Sequence, residues 1–117
     1  MIFRSKPKNR RLRLIVGTSG LPLLFSSIQS AESYLEGIDV DNGEYSYAIS
    51  PDGTRYKLLS DGANGVIILP DREAPADPDA AREALVALAQ REHGTIGADA
   101  PLDALIECCR RAIDDGV

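Results

Sequence analysis

The side chains able to carry chemistry are few, and the densest group is acidic. Asp39, Asp41 and Glu44 crowd the stretch Asp39-Val40-Asp41-Asn42-Gly43-Glu44. Carboxylates at alternate positions ahead of Asn-Gly imitate the opening of a calcium loop, where hard oxygen ligands wrap the cation. An EF-hand needs Gly at the sixth position and Glu at the twelfth, between two helices. Here Gly43 is fifth and Ser50 twelfth, and the flanks read as strands. The segment therefore predicts a polar hairpin tip that presents carboxylates to a partner. His93, the only histidine, falls in the last turn of a predicted helix, where partial positive charge complements the dipole. Without a second imidazole, neither a catalytic dyad nor a zinc set emerges.

Cys108 and Cys109 are neighbours. A bond between them would distort a helix interior, so both read as inert thiols, with Cys109 in the core. Two cysteines that build no disulfide framework favour a reducing compartment. Gly62 to Gly65 lacks the following Gly-Lys-Ser/Thr and helix of a phosphate loop. Gly17-Thr18-Ser19-Gly20 is no nucleophile elbow, because Gly20 follows Ser19 directly. No catalytic residue, metal set or cofactor is assigned.

The elements that position these residues follow from periodicity and punctuation. Leu12, Leu14 and Val16 alternate with Arg13 and Ile15 and suggest a strand. Ser26 and Gln29 have capping-box spacing, and a helix from about 26 to 36 follows, with a start near Pro22 as the alternative and Gly37 as its stop. Residues 38–40 and 44–49 then read as strands joined through Asp41-Asn42-Gly43. Alternation puts Tyr45, Tyr47 and Ile49 on one face. Pro51-Asp52-Gly53 turns into a strand over 55–60, and 66–69 is a short, wholly apolar strand. Asp77-Pro78 opens a helix over 79–93 that Gly94 closes. Leu102, Leu105, Ile106, Cys109 and Ile113 mark the buried stripe of a last helix, with Glu107 and Arg111 paired on its outer side.

The sum is an α+β fold: an antiparallel β-meander of three to four strands with helices packed on one face, the N-terminal strand adding an edge. Residues 1–11 read as a mobile basic arm and 12–117 as one domain.

Charge narrows the partner. The chain of 117 residues has a net charge of −5. Residues 1–13 carry six positive charges and no acid, while the other 104 carry seven positive and eighteen negative. Phosphates laid across such a body would meet like charge, so no specific nucleic acid is expected, and a basic protein partner suits it better. A basic start, an apolar stretch and Ser26 to Ala31 imitate a secretory signal, but Gly17, Gly20 and Pro22 interrupt the apolar part. Cytoplasmic residence is the expectation and secretion the alternative. No run reaches the roughly 20 apolar residues of a membrane span.

The segment YLEGIDVDNGEYSYAISPDGTRYKL, residues Tyr34 to Leu58, resembles a group of small bacterial domains with an L-E-x-I-D-V-x-N-G-E-Y core, a D-G hairpin and later helices. Their size, charge and lack of catalytic motifs make them similar to bacterial immunity proteins, which neutralise toxins by covering them. The resemblance implies a non-enzymatic inhibitor and brings no functional residue with it. The expected contact surface, read from charge, is Glu32, Glu36, Asp39, Asp41, Glu44 and Asp52. The rival expectations are a small carboxylate-dependent hydrolase or transferase, and a homo-oligomeric regulatory subunit.

Overall fold

A computed structural model describes residues 11–94 and 96–115. Of the expected basic arm, only Arg11 falls within them. The fold is α+β, built on a five-stranded antiparallel sheet in the order β2-β1-β3-β4-β5. The strands are β1 (Leu14–Gly17), β2 (Leu23–Phe25), β3 (Tyr47–Ile49), β4 (Arg55–Ser60) and β5 (Val66–Pro70). The helices are α1 (Ile28–Tyr34), α2 (Gly37–Asp41), α3 (Pro78–His93) and α4 (Leu102–Cys108), followed by a 3₁₀ turn at Arg110–Ala112. Strands β3, β4 and β5 form the expected meander.

The N-terminal strand is not an edge. β1 lies between β2 and β3, with Ile15 paired to Leu24 on one side and Ile49 on the other. Its residues Leu14, Ile15 and Val16 are all fully buried. A strand apolar on consecutive positions needs cover on both faces, so the helices do not share one face as expected. Ile15, Leu24 and Ile49 pack with Leu85, Leu88 and Leu105 of α3 and α4. Leu14, Val16, Phe25 and Ile68 pack with Ala31 of α1 and Leu35 just after it, on the opposite side.

Strand β2, Leu23–Phe25, falls where no strand is expected from the sequence and where the first helix could have begun. Leu23–Phe25 folds back onto β1, and its other edge meets Ile113 in an isolated parallel bridge to Leu24. Asp114 holds this closure. Its N–H donates to the Leu24 carbonyl at 2.7 Å. Its carboxylate accepts from the Ser26 N–H and from the hydroxyls of Ser26 and Ser30. Ser26 is thereby drawn away from α1, and Ser27 caps the helix instead, accepting from the Ser30 N–H at 2.9 Å.

α3 starts where local chemistry dictates. The Asp77 side chain accepts from the Ala80 N–H, and proline occupies the first turn. The turn of Pro51-Asp52-Gly53 docks on this cap. The Gly53 carbonyl accepts from the Asp77 N–H at 2.8 Å. A side chain on Gly53, whose φ is +95°, would meet Pro78 N at 2.4 Å. The last helix is shorter than its apolar stripe suggests: α4 stops at Cys108. Glu107 pairs with Arg110 at 2.5 Å rather than with Arg111.

Candidate functional site

The acidic segment folds as a helix, not as a hairpin arm. Residues 38–40 were expected to form a strand, but Gly37–Asp41 is α2. The cause lies outside the segment. The Gly37 N–H donates to the Asn64 carbonyl and the Ile38 N–H to Asn64 Oδ1, both at 2.9 Å. The turn at Asp61–Gly65 thus satisfies two amides that open the helix. Gly37 also sits where a Cβ would come within 2.8 Å of the Gly65 carbonyl oxygen, so only glycine lets the two backbones meet. Asp39 in the first turn complements the helix dipole. Gly43, at φ +73°, ends the helix rather than turning a hairpin.

This end of the molecule gathers Glu36, Asp39, Asp41 and Glu44. Glu36, Asp41 and Glu44 are exposed and Asp39 is half-buried. Among the described residues the ion pairs are Arg55–Asp77 and Glu107–Arg110, and neither involves the four acids. The other two expected surface residues do not join them. Glu32 turns inward, and its Oε2 accepts the Ile68 N–H at 2.8 Å. Asp52 stands at the opposite end of β3, in the turn before β4. There it accepts from the Ser50 hydroxyl at 2.5 Å and the Thr54 N–H at 2.9 Å. Those hydrogen bonds hold its carboxyl below the ordinary aspartate value.

Beside the four acids opens a cleft of about 200 Å³, lined by Tyr45, Tyr47 and Tyr56 together with Val40, Ala48 and Leu58. The sequence put Tyr45 and Tyr47 on one face, whereas in the structure both border the cleft but pack against different cores. Tyr47 packs with Ile49 toward α3, over Gly17, whose missing side chain makes room for the ring. Tyr45 precedes the regular strand and packs on the α1–α2 side with Val40, Tyr56 and Leu58. Its hydroxyl donates to Asp39 Oδ2 at 3.3 Å. Burial pushes the Tyr45 hydroxyl above the ordinary phenol value. A hydrogen bond from the Glu36 main chain opposes this, and the charges of Asp39 and Glu36 add to the rise. For Tyr47, burial and then the charge of Glu83 raise it.

Tyr56 and Val40 were not singled out from the sequence as site residues. The available signal was the position of Tyr56 in β4, one residue after a predicted strand start, on the face shared with Leu58. The other residues weighed from the sequence lie elsewhere in the fold. Cys109 is buried, its Sγ 3.5 Å from the Leu85 carbonyl, and burial pushes the thiol up to about 11. Cys108 is half-buried, and neither cysteine is in a disulfide. His93 lies in the last turn of α3, before Gly94. Gly62–Gly65 belongs to a turn in which Asp61 Oδ1 accepts the N–H groups of Ala63 and Gly65. Among the described residues no cluster of three or more His, Cys, Asp or Glu could hold a metal ion.

No family model, no curated protein and no solved structure matches this chain. Among the described residues no helix is long and apolar enough to cross a membrane.

Proposed function

We propose that this protein is a binding protein that covers a basic protein partner with the acidic end of its fold, as an immunity-type inhibitor covers a toxin. The observation that carries this reading is the set of Glu36, Asp39, Asp41 and Glu44 along α2 and its two ends, none of them in an ion pair among the described residues. Like charges held side by side repel, and a folded chain that keeps them together forgoes some stability. A partner of opposite sign relieves the repulsion and is steered toward the surface as it approaches. A cytoplasmic setting fits the two unbridged cysteines.

The test uses Asp41→Lys with Glu44→Lys, two exposed side chains whose replacement leaves the hydrogen bonds of α2 in place. Wild type and the double variant are immobilised and exposed to native lysate at low and high salt. The proposal expects a basic protein held by the wild type at low salt and lost from the variant. With that protein purified, association should slow about tenfold or more in the variant and lose its salt dependence. Equal retention and equal association rates would overturn it.

A further inference from the structure

The acidic end is not flat, and the cleft beside it has a chemistry of its own. At about 200 Å³ it falls below the roughly 300–1,000 Å³ of small-molecule pockets, yet it offers length for one extended side chain. Its walls differ in kind. Val40 and Leu58 are aliphatic, and Tyr45, ahead of β3, and Tyr56, in β4, add aromatic residues. The Tyr45 hydroxyl is tied to the Asp39 carboxylate, which puts a negative group beside that ring. An aliphatic stem ending in a positive charge matches both kinds of wall, through apolar contact along the stem and cation–π and ionic attraction at its tip. An acidic side chain would be repelled by the Asp39 carboxylate that the Tyr45 hydroxyl contacts. A wholly apolar one would leave the Tyr45–Asp39 pair poorly solvated and without an added partner.

We infer that this cleft receives one long cationic side chain, lysine or arginine, from the basic partner. The inference rests on the binding reading above and specifies where the partner's anchoring residue sits. Aromatic residues are frequent anchors of an interface, and the surrounding charges set the rate of approach. The four acids and the cleft therefore divide the work between encounter and retention.

The experiment needs no knowledge of the partner. Amide resonances of the ¹⁵N-labelled protein are followed while N-acetyl-arginine methylamide, N-acetyl-lysine methylamide or the neutral N-acetyl-norleucine methylamide is added. The expected result is a saturable shift with the two cationic probes at Val40, Tyr45 to Ala48 and Tyr56 to Leu58. The norleucine probe should shift these amides at least fivefold less at equal concentration. Asp39→Asn, which keeps an acceptor for the Tyr45 hydroxyl, should weaken the cationic probes about fivefold or more. Tyr56→Leu should do the same; if that variant fails to fold, Asp39→Asn alone decides. Equal shifts with norleucine, or shifts confined to residues 36–44 and absent at 56–58, would overturn the inference. The two readings fail separately. Probe binding with partner capture unaffected by Asp41→Lys and Glu44→Lys keeps the cleft and removes the acidic surface. Capture lost in that variant with no probe binding removes the cleft and keeps the surface.

Discussion

The carboxylate of Glu32 accepts the main-chain N–H of Ile68 across 2.8 Å, joining α1 to the outermost strand of the sheet. An edge strand presents unpaired amides that invite another chain. In β5 one such amide is occupied by Glu32, and Pro70 at the end of the strand has none to offer. A residue expected from its charge to face a partner is instead part of the protection of an edge.

Glu32→Ala leaves the Ile68 amide without its acceptor. A hydrogen bond to a charged group is worth about 1.5–3 kcal/mol, and a loss of that order in urea unfolding is expected. Glu32→Gln, which retains an acceptor oxygen, should lose less than half as much. Hydrogen exchange at the Ile68 amide should accelerate in the alanine variant and stay slow in the glutamine variant.

Neighbouring residues of β5 should differ sharply in what a truncating or polar substitution costs. Ile68 is buried at 5% exposure, while Ile67 points to the other face at 43%. Ile68→Ala should cost about 2–5 kcal/mol, and Ile67→Thr no more than about 0.5 kcal/mol. Thermal or chemical unfolding of the two variants measures the contrast.

Alkaline pH should weaken the protein through its tyrosines. Tyr45 and Tyr47 are both raised above 10.0 in the folded chain, in each case chiefly by burial. A phenol whose folded value exceeds its unfolded value contributes stability below pH 10 that is lost as pH rises through the folded value. Unfolding free energy should therefore fall above about pH 10. Asp39→Asn removes one negative neighbour of Tyr45, so the Tyr45 hydroxyl should ionise closer to the ordinary value. Ultraviolet titration of phenolate, with a Tyr45→Phe control to assign the signal, checks this.

Thiol reagents should distinguish adjacent cysteines. Cys109 is 1% exposed with its thiol raised to about 11, whereas Cys108 is half-buried. Alkylation of the native protein near pH 8 should label Cys108 alone, and Cys109 should follow only in denaturant. Peptide mass spectrometry reads the order.

Much of the fold was legible where its signals are local. Asp77-Pro78 and Gly94 bracket α3 nearly as read, and β4 has the expected bounds. What was misread depends on distant contacts. Ile38-Asp39-Val40 is too short to separate a period of two from one of 3.6, and Asn64, 26 residues away, tips it into a helix. Leu23-Leu24-Phe25, an apolar run between turn-rich stretches, carried a strand signal that the serine-rich helix start obscured. Of the site, the acids on α2 were found from charge. The cleft was not, because the departure of Tyr45 from strand alternation is set by the end of α2 and the entry to β3 rather than by its own spacing.

The place of β1 in the sheet sets a kinetic order on folding. Leu14–Gly17 comes early in the chain, but its partner β3 lies about thirty residues later, and the bridge from Ile113 to Leu24 spans nearly ninety. Non-local pairings of this kind must close long loops before they reward the chain, which slows folding relative to chains held by local contacts. The most apolar strand therefore waits longest for complete cover, and Leu14, Ile15 and Val16 are the residues a chaperone would meet first in a chain that is only partly assembled.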